Sequence, residues 1–227
     1  MLKPWLRRSW CIPTVSAEFV WRMEDLLDLY AEPYAPQYPV VCFDESPYQL
    51  VSEVRHPLPT TPGWPARYDY EYRREGTCNL FMCFQPLRGW RHVKVTVRRT
   101  ASDFAHCMKD LVDVHFPKAT LISIVLDNLN THTPAAFYET FTPAEARRIL
   151  RKLDFRYTPK HGSWLNMAEI EFAVVTKQCL NQRLPDQATV GQEIAAWETC
   201  RNAARATVQW QFTTSNARRK LKGLYPA

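Results

Sequence analysis

Nowhere does the chain hold an apolar run approaching the ~20 residues that cross a bilayer, and its start offers Trp, Pro and Arg where a secretory signal would place an apolar stretch. These absences set aside a membrane-spanning or exported protein, and a cytoplasmic location is expected. No CxxC pair occurs among Cys11, Cys42, Cys78, Cys83, Cys107, Cys179 and Cys200, and no histidine pair stands at zinc spacing from them. A structural zinc module is thereby excluded, and the odd cysteine count reads as reduced, mostly buried thiols instead of a disulfide framework. His56, His92, His106 and His115 likewise lack the mutual spacing of a metal site. There is no internal repeat and no low-complexity tract.

What is present suffices for one large domain: 227 residues, 46% of them hydrophobic, with tryptophan in good supply for a sizeable core. The formal charge of +6 comes from basic residues spread along the whole chain, which favours a polyanionic partner.

Residues 1–37 read as a linker leading into the domain, and residues 38–227 as the domain itself. The linker holds a basic, aromatic start, "KPWLRRSW", and a helix over "SAEFVWRMEDLLDLY" with Phe19, Met23, Leu26, Leu27 and Tyr30 at helical spacing. In "YPVVCFDE" a short strand is expected, with Val40, Cys42 and Asp44 on one face and Val41, Phe43 and Glu45 on the other, so that Asp44 ends it. Residues 46–75, rich in proline and carrying "ARYDYEYRR", read as a stiff, extended insertion. Two strands follow, "CNLFMCFQPL" and "WRHVKVTVRRT", and then a helix over "DFAHCMKDLVDVHF" that Ser102 can cap. "TLISIVLD" is apolar on both faces and reads as a central parallel strand; "TPAEARRILRKL" is a helix with Thr142 as cap and Pro143 in its first turn. "DFRYTP" is the fifth strand, with helices over roughly 163–182 and 188–207 and a short basic one near "NARRKLKGL". That order implies an α/β, ribonuclease H-like fold: a five-stranded mixed sheet flanked by helices, with the first and fourth strands side by side.

Such adjacency brings Asp44 and Asp127 together at neighbouring strand ends, where two half-buried carboxylates repel unless a cation lies between them. An aspartate at one strand end is by itself an ordinary turn former; it is the pair, at positions set by one fold, that points to a metal site. Oxygen ligands suit Mg²⁺, with Mn²⁺ able to substitute. A third carboxylate is expected from the helix in "SWLNMAEIE". Glu169 and Glu171 lie about 200° apart on it. Asn166 shares a face with Glu169, which favours Glu169 and leaves Glu171 dispensable.

"VCFDE", "VLDNLNTHTP" and "TPKHGSWLNMAEIE" also resemble the three catalytic blocks of DDE transposases of the mariner-like superfamily, in particular its bacterial insertion-sequence branch. The resemblance extends through "ARYDYEYRR", "GWRHVKVT" and "RNAARATVQWQFTT". It implies that Asp44, Asp127 and Glu169 are the catalytic, metal-binding triad, holding two Mg²⁺ ions for cleavage of a transposon end and transfer of the freed 3′-OH into target DNA. It places Asn128, His132, Lys160, His161, Ser163 and Asn166 near the bound DNA end. It further implies a homodimer on paired DNA ends, clamped by the 46–75 insertion, and an N-terminal helix-turn-helix in relatives near whose end this chain begins. Two other readings stand beside it: an inactive DNA-binding or assembly module derived from a transposase, and a different ribonuclease H-like nuclease using the same carboxylates.

Overall fold

Central strands buried on both faces organise the computed structural model, which describes residues 16–225. The strands are β1 Val40–Glu53, β2 Tyr72–Gln85, β3 Trp90–Thr96, β4 Ile122–Leu126 and β5 Leu153–Tyr157. The helices are α1 Ala17–Ala31, α2 Ala101–Asp110, α3 Ala135–Thr140, α4 Pro143–Leu150, α5 Ala168–Gln178, α6 Gln187–Ala203 and α7 Thr214–Lys220. The sheet runs β3-β2-β1-β4-β5; β1, β2 and β3 pair antiparallel, while β4 lies parallel to both β1 and β5. Cys42, Leu80, Met82, Phe84 and Val125 turn to one face, where α1, α5, α6 and α7 close a core. Val41, Phe43, Phe81, Cys83 and Ile124 turn to the other, closed by α2, α3 and α4. The mixed five-stranded sheet flanked by helices, with the first and fourth strands adjacent, is the architecture expected from the sequence.

Several element ends differ from expectation for local reasons. Ser102 does not cap α2. Thr100 does, in a reciprocal box in which its side chain accepts from the Asp103 backbone N–H and Asp103 accepts from the Thr100 backbone N–H at 2.8 Å. The helix read from 163 also starts later, because Ser163–Leu165 form a separate single turn and Asn166 leaves it in extended conformation before α5 begins. The helix before β1 packs on the body of the domain, as its apolar spacing implies. Met23, Leu26, Leu27 and Tyr30 of α1 are buried, each large apolar side chain contributing about 1.5–3 kcal/mol by its removal from water, and the Tyr30 hydroxyl donates to the Leu165 carbonyl at 2.7 Å. The basic stretch "PWLRRSW" lies outside the described residues. Cys42, Cys78, Cys83, Cys107 and Cys179 are buried free thiols and Cys200 is exposed.

The largest correction concerns β1. It does not end at Asp44 but runs on to Glu53, paired with β2 down to Glu53↔Tyr72. Pro47, which falls in the stretch read as insertion, is tolerated because the parallel pairing with β4 covers only Val40–Cys42; beyond it one edge of β1 is open and a missing N–H costs no ladder bond there. The insertion therefore contracts to the tip of a long hairpin, residues 54–71. Thr61 and Trp64 exchange backbone hydrogen bonds around Pro62 and Gly63, whose φ of +82° suits the third position of a type II turn. Trp64, Tyr68 and Tyr70 stand 63–86% exposed, away from the body of the domain.

Candidate active site

Asp44 follows Cys42 by two residues within β1, so its carboxyl lies toward the α5 side, while Asp127 stands just beyond Leu126, the last residue of β4, and its charge reaches Asp44. Asp44 Oδ1 accepts the Glu45 backbone N–H at 2.9 Å; Asp127 Oδ1 accepts the Leu129 N–H at 3.2 Å and His132 Nδ1 at 2.8 Å. Among the described residues neither Oδ2 atom has a hydrogen-bond partner. Glu169, exposed in the first turn of α5, makes no side-chain hydrogen bond among them either.

The electrostatics follow from this crowding. Burial, reinforced by the charges of Asp127, Glu45 and Glu169 and only partly offset by the Glu45 N–H, pushes the Asp44 carboxyl up to about 7. Burial would raise Asp127 as well, but the hydrogen bond and charge of His132 outweigh it and hold that carboxyl below its ordinary value. His132 itself is buried, which disfavours its charged form, yet its hydrogen bond to Asp127, the close approach of Glu45 and the charges of both carboxylates prevail and raise it to about 9. One carboxylate thus has a cationic partner and the other does not. No three His, Cys, Asp or Glu side chains among the described residues are already gathered closely enough to enclose an ion. Even so, an all-oxygen donor set with unpartnered oxygens and a carboxyl raised by burial and then by neighbouring charges suits a hard divalent cation.

The remaining residues expected near DNA divide by exposure. Lys160, His161 and Ser163 are exposed on the turn before α5, where His161 takes φ +64° and a Cβ on Gly162 would meet the Pro159 ring at 2.5 Å, so only glycine fits. Asn128 donates to the Thr158 carbonyl at 2.6 Å and accepts from Arg22 at 3.2 Å, tying the end of β4 to β5 and α1. Asn166 and His132 are both buried and turn their polar atoms to protein. Asn166 donates to the Phe43 carbonyl at 2.8 Å and accepts the Ala168 N–H at 3.1 Å, fastening the start of α5 beside Asp44. His132 stands between Asp127 and Glu45, with Nε2 2.8 Å from Glu45 Oε2, close in distance though not in hydrogen-bond alignment.

Glu45 was missed, although the strand parity already set it on the opposite face from Asp44. Glu171 is a correction. Far from dispensable, it is wholly buried, 3.0 Å from Arg91 of β3 and 2.7 Å from Arg201 of α6.

The family model for the DDE superfamily endonuclease matches residues 39–190, which contain all of these carboxylates. No curated protein sequence matches the chain. Among solved structures it is similar to the Mos1 mariner paired end complex with Mn at 14% identity and a TM-score of 0.58, covering 88% of this chain and 61% of that one. It is similar also to the Mos1 strand transfer complex at 13% identity and 0.56, covering 88% and 62%, and to a pre-cleavage Mos1 transpososome at 15% and 0.56, covering 97% and 67%. The chain thus spans about three-fifths to two-thirds of the length of the structures it resembles, and at these identities the likeness establishes the shared ribonuclease H-like fold.

Proposed function

The chain belongs to the DDE superfamily endonucleases, and from that premise we propose that it is the catalytic domain of a mariner-like transposase of the insertion-sequence branch, acting in the cytoplasm on transposon-end DNA. The reading rests on one observation above the others. At the parting of β1 and β4, Asp44 and Asp127 each have one oxygen pinned and the other without a protein partner among the described residues, and the charge of Glu169 reaches the same place.

In this reading Asp44, Asp127 and Glu169 would hold two Mg²⁺ ions, with Mn²⁺ able to substitute. Bound there, such ions would supply an activated oxygen nucleophile at neutral pH and stabilise the leaving 3′ oxygen. The chain's own part is to present the open oxygens from three rigid places: a strand paired on its other edge, the end of a central strand, and a helix start fastened by Asn166. Lys160, His161 and Ser163 are the exposed groups placed to meet the DNA backbone, and the net positive charge favours its approach. The hairpin tip is assigned the role of a clamp: its exposed Trp64, Tyr68 and Tyr70 offer anchors for a second subunit in a dimer on paired DNA ends. The named states of the similar Mos1 structures, paired end and strand transfer, support this assignment as analogy.

Incubating the chain with Mg²⁺ or Mn²⁺ and labelled terminal-repeat duplex tests the proposal. Joined products are expected. Nicks without joining would instead favour another nuclease, and binding without cleavage an assembly module.

A further inference from the structure

Asp127 occupies irregular backbone. β4 ends at Leu126, α3 does not begin until Ala135, and the Asp127 side chain is about one-third exposed, so no ladder or helix fixes its direction. What fixes it is a pair of bonds to one oxygen, from the Leu129 N–H at 3.2 Å and from His132 Nδ1 at 2.8 Å. Both fall on Oδ1. The carboxylate is therefore turned so that Oδ2 is the atom left open.

The stronger of those bonds is itself held in place. His132 is fully buried, its ring packed 4.8 Å from Phe104 and 5.3 Å from Phe43, with its carbonyl accepting the Tyr157 hydroxyl at 2.8 Å. Its far nitrogen faces Glu45 Oε2 at 2.8 Å, and the Glu45 side chain is only 2% exposed. Glu45 is the residue after Asp44, so strand parity alone directs the two neighbouring carboxylates to opposite faces of the sheet: Asp44 toward the site, Glu45 behind it. A buried carboxylate is costly unless it is paired, and among the described residues the basic group within 4 Å of this one is the ring that orients Asp127.

We propose that Glu45 and His132 are positioning residues for the metal site, His132 holding Asp127 with Oδ2 open to a divalent cation and Glu45 holding His132. The inference rests on the reading of Asp44, Asp127 and Glu169 as metal ligands, and it gives two residues with buried side chains a function that needs no contact with DNA. Groups that hold a ligating carboxylate typically alter metal affinity about 10–100-fold when removed.

The test is direct Mn²⁺ binding by the full chain without DNA, measured by electron paramagnetic resonance of the free ion, with Asp127→Asn as reference. His132→Gln removes the donor facing Asp127, whereas His132→Asn keeps an amide N–H near the Nδ1 position. His132→Gln and Glu45→Gln are expected to weaken Mn²⁺ binding about 10–100-fold, and His132→Asn to recover most of the loss. A ring with no part in orienting Asp127 could be removed without weakening binding, so unchanged or tighter binding in His132→Gln overturns the proposal. Should that buried substitution fail to fold, Glu45→Gln decides, and affinity within twofold of the parent overturns it equally. A parent that binds no Mn²⁺ would instead remove the metal-site reading and this inference with it, an outcome distinct from a parent that binds and variants that bind alike.

Discussion

Glu169 and Glu171 stand two residues apart on α5, one exposed at the sheet end with Asp44 and the other completely buried between Arg91 and Arg201. Helix rotation separates them, and the two sides of α5 then give the same side chain opposite duties. Glu171→Gln should cost about 3–5 kcal/mol in urea unfolding, because Arg91, whose side chain is fully buried, loses its counter-charge. Glu169→Gln should leave stability within about 0.5 kcal/mol. Equal stability of the two variants would show that the buried ion pair does not hold α5 to the sheet.

Asp44→Asn, Asp127→Asn and Glu169→Gln should each abolish metal-dependent cleavage of labelled terminal-repeat DNA. In EDTA, Asp44→Asn should melt at or above the parent, since it deletes a buried charge crowded by like charges. Added Mg²⁺ should raise the melting temperature of the parent and not of this variant. Cleavage surviving in any of the three would remove that residue from the site.

Replacing residues 56–68 by a short Gly-Ser linker should leave the domain folded. The substitution spares Leu50 in the core, and it spares the carbonyls of Asp69 and Glu71, which accept from Arg183 at 2.7 and 2.9 Å. Nicking of single DNA ends should persist while pairing of two ends is lost. Normal pairing and joining by the shortened protein would sink the clamp assignment.

On the far face Arg148 donates two hydrogen bonds of 2.8 Å to Asp113 while Lys109 bonds both Asp113 and Glu145, joining α4 to the segment after α2. The Arg148 hydrogen bonds, against a smaller opposing effect of burial, bring the Asp113 carboxyl from 3.8 down to about 2. A depressed carboxylate stabilises the fold fully above its unfolded value and loses that contribution as pH falls through the folded one. Acid unfolding should therefore draw on Asp113 between about pH 4 and 2, modestly because the side chain is a third exposed. In Asp113→Asn this part of the pH dependence should vanish from circular-dichroism melts.

Binding to duplex DNA should be weak, salt-sensitive and nearly blind to sequence, as phosphate contacts dictate. Lys160→Ala should lower the slope of log K against log salt by about 1 without changing the ratio between terminal-repeat and scrambled duplexes. Strong discrimination at moderate salt would reveal a recognition element in the chain.

The sequence by itself determined the sheet order and the meeting of Asp44 with Asp127, because both rest on local signals: apolar runs of strand length, period-two parity and caps such as Thr142 with Pro143. It also separated Glu169 from Glu171, since the turn of a helix is a local property. Which of the two was buried was a different matter, settled by Arg91 and Arg201, residues of β3 and α6 whose approach no local pattern records. Pro47 misled for the same reason. Whether a strand tolerates proline depends on which edge carries a partner, and that edge opens only where β4 stops. His132 and Glu45 lie far apart in the sequence and meet through packing; tertiary structure alone could show that His132 is buried between Asp127 and Glu45, because pairing in the interior depends on distance in space and not along the chain.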